Sequence, residues 1–148
     1  TVVYRSEQLA SILLERPPQL VLCHSDLHAG NVLVGDNDRI SIVDWDTLIL
    51  APKERDLMFI GGGVGHVWNQ PQEEALFYEG YGLKDIDLVA LAYYRYERIA
   101  KDVLEFRDQM FDATASAEDR EEGLRQMQSQ FLPGDVVAIA HRSYDDIT

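Results

Sequence analysis

The longest regular pattern in the sequence is an apolar stripe within residues 85–111. Its members recur at spacings of three and four residues, which places them on one face of an α-helix. The stripe consists of Val89, Ala92, Tyr96, Ile99, Val103, Phe106 and Met110. Such a stripe is typical of core packing rather than ligand binding, so we expect this helix to pack into the core. The helix also offers two i,i+4 charged pairs, Glu97 with Lys101 and, in the reverse order, Arg98 with Asp102.

Shorter patterns predict further helices and three short strands. The predicted helices cover residues 4–15, 54–60, 72–79 and 118–131, and a last one starts at 136. The predicted strands are 20–23, 32–34 and 39–43, the first of them buried, and a turn at 35–38 joins the other two into a hairpin. Ser6 is a candidate N-cap for the first helix. One helix, a few strands and then helices only indicate an α+β lobe rather than a βαβ repeat.

Composition excludes several classes of protein. Lys and Arg number 13 against 26 Asp and Glu, a net charge of −13, whereas a nucleic-acid binder needs clustered cations to neutralise phosphates. An acidic balance usually serves solubility, although it also suits a cationic ligand. The single cysteine, Cys23, excludes an internal disulfide and is expected to be buried and unreactive. Without a signal pattern or the roughly 18–20 apolar residues of a membrane span, we expect a cytoplasmic protein with no nucleic-acid or membrane partner.

The most informative segment is the polar stretch 24–31, which has the form H-x-D-x-x-x-x-N. It follows the first predicted strand and precedes the hairpin, and the hairpin delivers Asp44 thirteen residues after Asn31. Strand, loop, hairpin and acidic residue occur in this order in phosphotransferases of the protein-kinase type. Because phosphoryl transfer depends mainly on positioning and charge stabilisation, this pattern predicts that chemistry.

Each residue type in the pattern has a chemical reason. Mg²⁺ prefers oxygen ligands, so the Asp44 carboxylate and the Asn31 amide oxygen are candidate metal ligands. Asp26 would orient an acceptor hydroxyl and accept its proton. Gly30 would let the backbone turn tightly beside Asn31. Simpler interpretations stay open: a cap or surface acid at Asp26, a turn residue at Asn31 and a strand-end cap at Asp44.

Two segments together carry a family resemblance. Residues 24–31, HSDLHAGN, and residues 42–46, IVDWD, resemble the aminoglycoside phosphotransferase family of kinase-like enzymes, which reads H-G-D-x-H-x-x-N and then I-D-W. Ser25 stands where the family has Gly, and His28 matches the second histidine of the family. Asp56 matches the first residue of a family Asp-Leu pair. Within the family, the stretch through residue 57 looks most like the members that act on spectinomycin.

The resemblance implies both a fold and a reaction. The fold is the mainly helical C-terminal lobe of a protein-kinase-like structure, in which a small β-hairpin carries the catalytic and metal loops. The reaction is transfer of the ATP γ-phosphoryl group, with Mg²⁺, to a hydroxyl of a small cationic aminocyclitol or aminoglycoside antibiotic, with spectinomycin as the expected substrate. Asp26 is then the catalytic base, and Asn31 and Asp44 are the metal ligands. Two other functions stay open: another small-alcohol kinase, of the choline or homoserine type, and a kinase-like module that binds without turnover.

The resemblance also gives expectations for the residues around these three. His24 and Asp56 are expected to support the catalytic loop. His28 could contact a phosphate or simply fill the loop, and Asp46 could contact metal or substrate or cap the next segment.

The family pattern requires a preceding lobe with a glycine-rich strand pair and a lysine that hold ATP. Only 23 residues precede His24 and the chain lacks an initiator Met, so we expect residues 1–148 to be the C-terminal lobe alone, with the N-terminal lobe missing as a partner. We therefore expect the isolated chain to be inactive. The glycine-rich stretch 61–65 follows a predicted helix and lacks the third glycine of a nucleotide loop, so a helix end and a flexible loop are expected there.

Overall fold

Six helices and four short strands make up the part of the chain that a computed structural model describes, residues 1–82 and 85–147. The strands are β1 (Val21–Cys23), β2 (Val32–Val34), β3 (Ile40–Ile42) and β4 (Ile49–Ala51). The helices are α1 (Val2–Glu15), α2 (Glu54–Leu57), α3 (Pro71–Tyr81), α4 (Leu88–Phe111), α5 (Ala117–Ser129) and α6 (Val136–Asp145). In these described residues, no helix has the length and apolar character that crossing a membrane requires.

The strands form two separate antiparallel pairs. β2 pairs with β3, with Val32 opposite Ile42, so the predicted hairpin is confirmed. β1 pairs with β4, which the sequence analysis missed because it expected only helices after the hairpin. The run Ile49–Ala51 is too short to show a period of its own, and it becomes a strand only by pairing with β1. This second pair brings the segment after the hairpin back beside the segment before it.

The first strand is less buried than the sequence suggested. Cys23 is 1% exposed, but Val21 and Leu22 are 37% and 65% exposed. Successive strand residues face opposite sides of a sheet, and in this two-stranded pair Leu22 lies on the side away from Cys23. The prediction of a fully buried strand is therefore wrong, whereas the prediction of a buried Cys23 is confirmed.

Local capping explains where the helices begin. The Asp87 carboxylate accepts hydrogen bonds from the backbone N–H groups of Val89 and Ala90, so α4 starts at Leu88. Ser6 was a candidate N-cap, but it lies inside α1, where its hydroxyl donates to the Val3 carbonyl. The prediction for Ser6 is therefore wrong, because the helix already begins at the second residue of the chain.

The core lies where α4 packs between α1 and α6. Its fully buried members are Leu9, Ala92, Tyr96, Ile99, Val136 and Ala140. The apolar stripe of α4 is therefore confirmed as core over its first half, and its later members Phe106 and Met110 are half-buried. The predicted ion pair Arg98–Asp102 forms within α4. Glu97 does not pair with Lys101 as predicted; its Oε2 lies 3.4 Å from Nε of Arg55 on α2. A second buried cluster, Leu57, Met58, Phe59 and Leu91, connects α2 and the chain after it to α4.

Candidate active site

The loop between β1 and β2 is anchored by a carboxylate from α2. Asp56 accepts two backbone hydrogen bonds, from His24 N at 2.9 Å and from Ser25 N at 2.7 Å. Ser25 has φ 67°, in the left-handed region, and that conformation turns both N–H groups toward the same acceptor. One side chain thus fixes the start of the loop that carries Asp26.

A second loop, after β3, is tied to the first by three further hydrogen bonds. The ring Nε2 of His24 lies 2.8 Å from the Val43 carbonyl oxygen. Thr47 Oγ1 donates to the His24 carbonyl at 2.9 Å, and Ser25 Oγ donates to the Thr47 carbonyl at 2.6 Å. His24 is 3% exposed, and Trp45 packs edge-on against its ring. The two loops therefore form one unit, with His24 and Asp56 in contacts that hold it together.

The hairpin places Asn31 and Asp44 at the same end. Val43 N donates to the Asn31 carbonyl at 3.0 Å, which continues the β2–β3 ladder by one more residue. The Asn31 side-chain nitrogen donates to the Asp26 carbonyl at 2.8 Å. That bond engages the amide nitrogen, so the amide oxygen is the atom that Asn31 can offer a cation.

The carboxyl groups of Asp44 and Asp46 interact with each other. A hydrogen bond that protonated Asp44 donates to Asp46, and then the negative charge of Asp46, raise the pKa of Asp44, and Asp26 adds a smaller effect in the same direction. Adjacent carboxylates repel each other unless a proton or a cation lies between them. These carboxylates and the Asn31 amide oxygen are hard oxygen ligands of the kind that Mg²⁺ prefers, so the chemistry of the residues present fits this metal. Among residues 1–82 and 85–147, no group of three or more His, Cys, Asp and Glu side chains is arranged to hold a metal ion.

Asp26 lies between two cationic or potentially cationic groups. Its Oδ1 is 2.7 Å from Arg98 Nη1, and its Oδ2 is 3.6 Å from His28 Nε2. The Asp26 side chain remains 27% exposed, so it is accessible to a ligand. A contact within the same loop orients the His28 ring, because its Nδ1 accepts a hydrogen bond from Gly30 N at 3.0 Å. A Cβ on Gly30 would lie 2.8 Å from the His28 ring, so a larger residue here would displace that side chain.

Arg98 is the residue of this site that sequence reasoning missed. The sequence analysis treated it only as a helix-surface partner of Asp102. Its contact with Asp26 joins residues 72 positions apart, and no local pattern signals such a pair.

A polar cleft of about 520 Å³ opens beside Arg98. We call it the helical cleft; its polar lining includes Arg98, Asp102, Glu122, Gln130 and Asp135. Residues 63–65 of the glycine-rich stretch line part of it. Gly63 has φ 81°, and a Cβ there would lie 2.5 Å from Ile139, so the chain is closely packed at this glycine. The cleft and the loop that carries Asp26 thus meet at Arg98.

A sequence profile of the phosphotransferase enzyme family matches residues 4–96. The chain belongs to this family. The family resemblance seen in the motifs is therefore confirmed. A search among curated proteins found no significant match.

Two solved structures with the same fold are similar to the chain over nearly its full length. One is spectinomycin phosphotransferase in complex with ADP and spectinomycin, with 47% identity, a TM-score of 0.86 and coverage of 96% of this chain. The other is the AMP-bound complex of spectinomycin phosphotransferase, with 48% identity, a TM-score of 0.81 and coverage of 95%. The expected fold class, a mainly helical α+β lobe of the kinase-like fold, is confirmed. The chain spans 43% of the length of each of these proteins.

Proposed function

We propose that the chain is the catalytic and substrate-binding lobe of a kinase that phosphorylates a hydroxyl of an aminocyclitol antibiotic, with spectinomycin as substrate and ATP as donor. The main support is the convergence of Asp26, Asn31 and Asp44 on one end of the hairpin in a chain that is 47% identical to a protein bound to ADP and spectinomycin. The family match, the adenine nucleotides bound to the two structural neighbours and the oxygen groups at this end of the hairpin all agree with this reaction.

In this proposal Asp26 acts on the acceptor. Its Oδ2 is the carboxylate oxygen that Arg98 does not engage, and the side chain is partly exposed. An acceptor hydroxyl at hydrogen-bond distance from Oδ2 would be oriented for in-line attack and would pass its proton to the carboxylate. His28, 3.6 Å from the same oxygen, lies where it would meet the substrate or the transferred phosphoryl group.

The two loops together would hold the metal. The Asn31 amide oxygen from the first loop and the Asp44 carboxylate from the second are the proposed ligands, and Asp46 would bind directly or through water. Magnesium, when bound, neutralises charge on the phosphates. The chain itself keeps the ligands in place through the β2–β3 ladder and the hydrogen bonds that fix residues 24 and 25.

The helical cleft is the proposed substrate site. Glu122 and Asp135 line it and can accept hydrogen bonds from ammonium and hydroxyl groups. The net charge of −13 would also favour the approach of a cationic substrate. We further propose that the parts that cover ATP come from a separate N-terminal lobe, since the chain matches 43% of its structural neighbours.

The test is spectinomycin phosphorylation by a full-length enzyme that contains this chain, with choline and homoserine as alternative acceptors. Asp26→Asn should lower kcat about 100-fold or more with little change in ATP affinity, and Asp44→Asn should instead raise the metal and ATP concentrations required. Asp36→Asn, an exposed acid of the hairpin turn, is the matched control and should retain full activity.

The isolated chain of 148 residues should be inactive and should gain activity only when the missing lobe is supplied. Turnover of choline or homoserine instead of spectinomycin would identify another alcohol kinase. Binding of spectinomycin without turnover by the full-length protein would identify a binding module. Near wild-type kcat for Asp26→Asn would remove that residue from the chemistry.

A further inference from the structure

A single arginine connects the proposed base to the wall of the helical cleft. Arg98 Nη1 lies 2.7 Å from Asp26 Oδ1, and Arg98 Nε lies 2.6 Å from Asp102 Oδ1. The Arg98 side chain is 16% exposed and its guanidinium carbon lies 5.6 Å from the centre of the Phe59 ring. The guanidinium is therefore held from three directions.

Asp102 is the buried end of this arrangement. Its side chain is 4% exposed, and Gln130, at the end of α5, donates to its Oδ2 at 3.2 Å. A buried carboxylate is costly unless a cation and hydrogen bonds compensate it. Arg98 supplies that cation, so Asp102 in turn restricts where Arg98 can lie.

We propose that Arg98 is a positioning residue that fixes the Asp26 carboxylate so that Oδ2 faces the acceptor hydroxyl, with Asp102 as the counter-ion that holds Arg98 in place. The proposal rests on the proposed function, because it assigns the base role to Asp26. Arg98 binds Oδ1 and leaves Oδ2 for the substrate, so it selects one of two carboxylate oxygens.

The chemistry of the guanidinium suits this task. Its planar fork can bind two carboxylates in different directions, which a lysine ammonium on its flexible stem does less precisely. Asp26 sits on a loop and is partly exposed, so without Arg98 its side chain would sample several rotamers. Losing one fixed orientation lowers the fraction of enzyme that is aligned for in-line transfer, and alignment supplies much of the rate in this reaction class.

The decisive experiment is a double-mutant cycle on kcat in the full-length enzyme. Arg98→Gln should lower kcat about 10- to 100-fold, the worth of one charge-assisted hydrogen bond, with the KM for ATP within about twofold of wild type. In an Asp26→Asn background the same substitution should lower kcat by less than about twofold, because the carboxylate that Arg98 positions is gone.

Arg98→Lys should recover only part of the lost kcat. Asp102→Asn should also lower kcat, as Arg98→Gln does. The matched control is Arg107→Gln on the same helix, whose partner is the neighbouring Asp108.

Two results would overturn the proposal while leaving the proposed function intact. The first is an active wild type in which Arg98→Gln lowers kcat equally with and without Asp26. The second is a change in substrate KM alone. If Arg98→Gln fails to fold, Arg98→Lys carries the cycle, and full kcat in that variant together with full kcat in Asp102→Asn also overturns it. A wild type that phosphorylates none of the three acceptors would refute the proposed function, and the positioning role would fall with it.

Discussion

Ser25 offers a sharp test of how the catalytic loop is held. It stands at a position where the resembling family has glycine, and its φ of 67° explains that preference, because a side chain in the left-handed region crowds the backbone. Ser25 Oγ donates to the Thr47 carbonyl at 2.6 Å, a bond that glycine cannot make. The strained backbone and the added hydrogen bond should therefore nearly offset each other.

The magnitudes follow from these two effects. Ser25→Ala loses the hydrogen bond, about 1 kcal/mol, and keeps the left-handed strain. Ser25→Gly loses the same bond but relieves about 1–2 kcal/mol of strain. The free energy of unfolding should thus fall by about 1 kcal/mol in the alanine variant and change by less than about 1 kcal/mol in the glycine variant.

Urea unfolding curves of the two variants, fitted with a shared m-value, measure the difference between their free energies of unfolding. Ser11 is the matched control, since it lies within α1 and its hydroxyl donates to the Glu7 carbonyl. At that helical site the order should reverse, with glycine less stable than alanine by about 0.5–1 kcal/mol. Equal stability of the alanine and glycine variants at position 25 would refute this account, because it would mean that the backbone there carries no left-handed strain for the hydrogen bond to offset.

Two further predictions concern titratable groups. Burial raises the pKa of the Cys23 thiol to about 11, so at pH 8 iodoacetamide should modify the folded protein at least about 100-fold more slowly than the urea-unfolded chain; equal rates would contradict the burial. Burial, and then the charge of Arg5, lower the pKa of His141. The unfolded chain therefore binds a proton that the folded chain resists, and the free energy of unfolding should fall as pH drops from about 6.5 to about 5.5. His141→Gln, tested by urea unfolding at both pH values, should show a smaller fall than wild type, and an equal fall in both proteins would refute this account.

The parts of the fold that sequence could predict are those with a local signal. The hairpin has two apolar runs and a turn between them, and the 24–44 segment holds the proposed base and metal ligands within 21 consecutive residues. Periodicity identified α4 for the same reason. β4 was missed because three residues carry no usable period, and its partner β1 lies 28 positions away in register.

The supporting contacts of the site follow a different logic, because they come from the helical body. Asp56 on α2 fixes the backbone before Asp26, and Arg98 on α4 contacts its carboxylate. Asp56 was found only because the family motif extends to it, whereas Arg98 lies outside every motif. Nothing in the sequence around Arg98 indicates that its side chain contacts Asp26, which lies 72 positions earlier.

This division has a physical cause. A carboxylate on a loop supplies chemistry, but its orientation depends on a rigid group across the fold, and that group must be anchored in packed structure. Here α4 provides the anchor, since the turn below Arg98 carries Asp102, and Ile99 beside it is buried in the core. Substitutions that shift α4 should therefore alter phosphoryl transfer without touching substrate, and their effects should depend on whether Asp26 is present. The same dependence would be absent for a substitution of Arg107, an exposed residue of α4 that pairs with its neighbour Asp108.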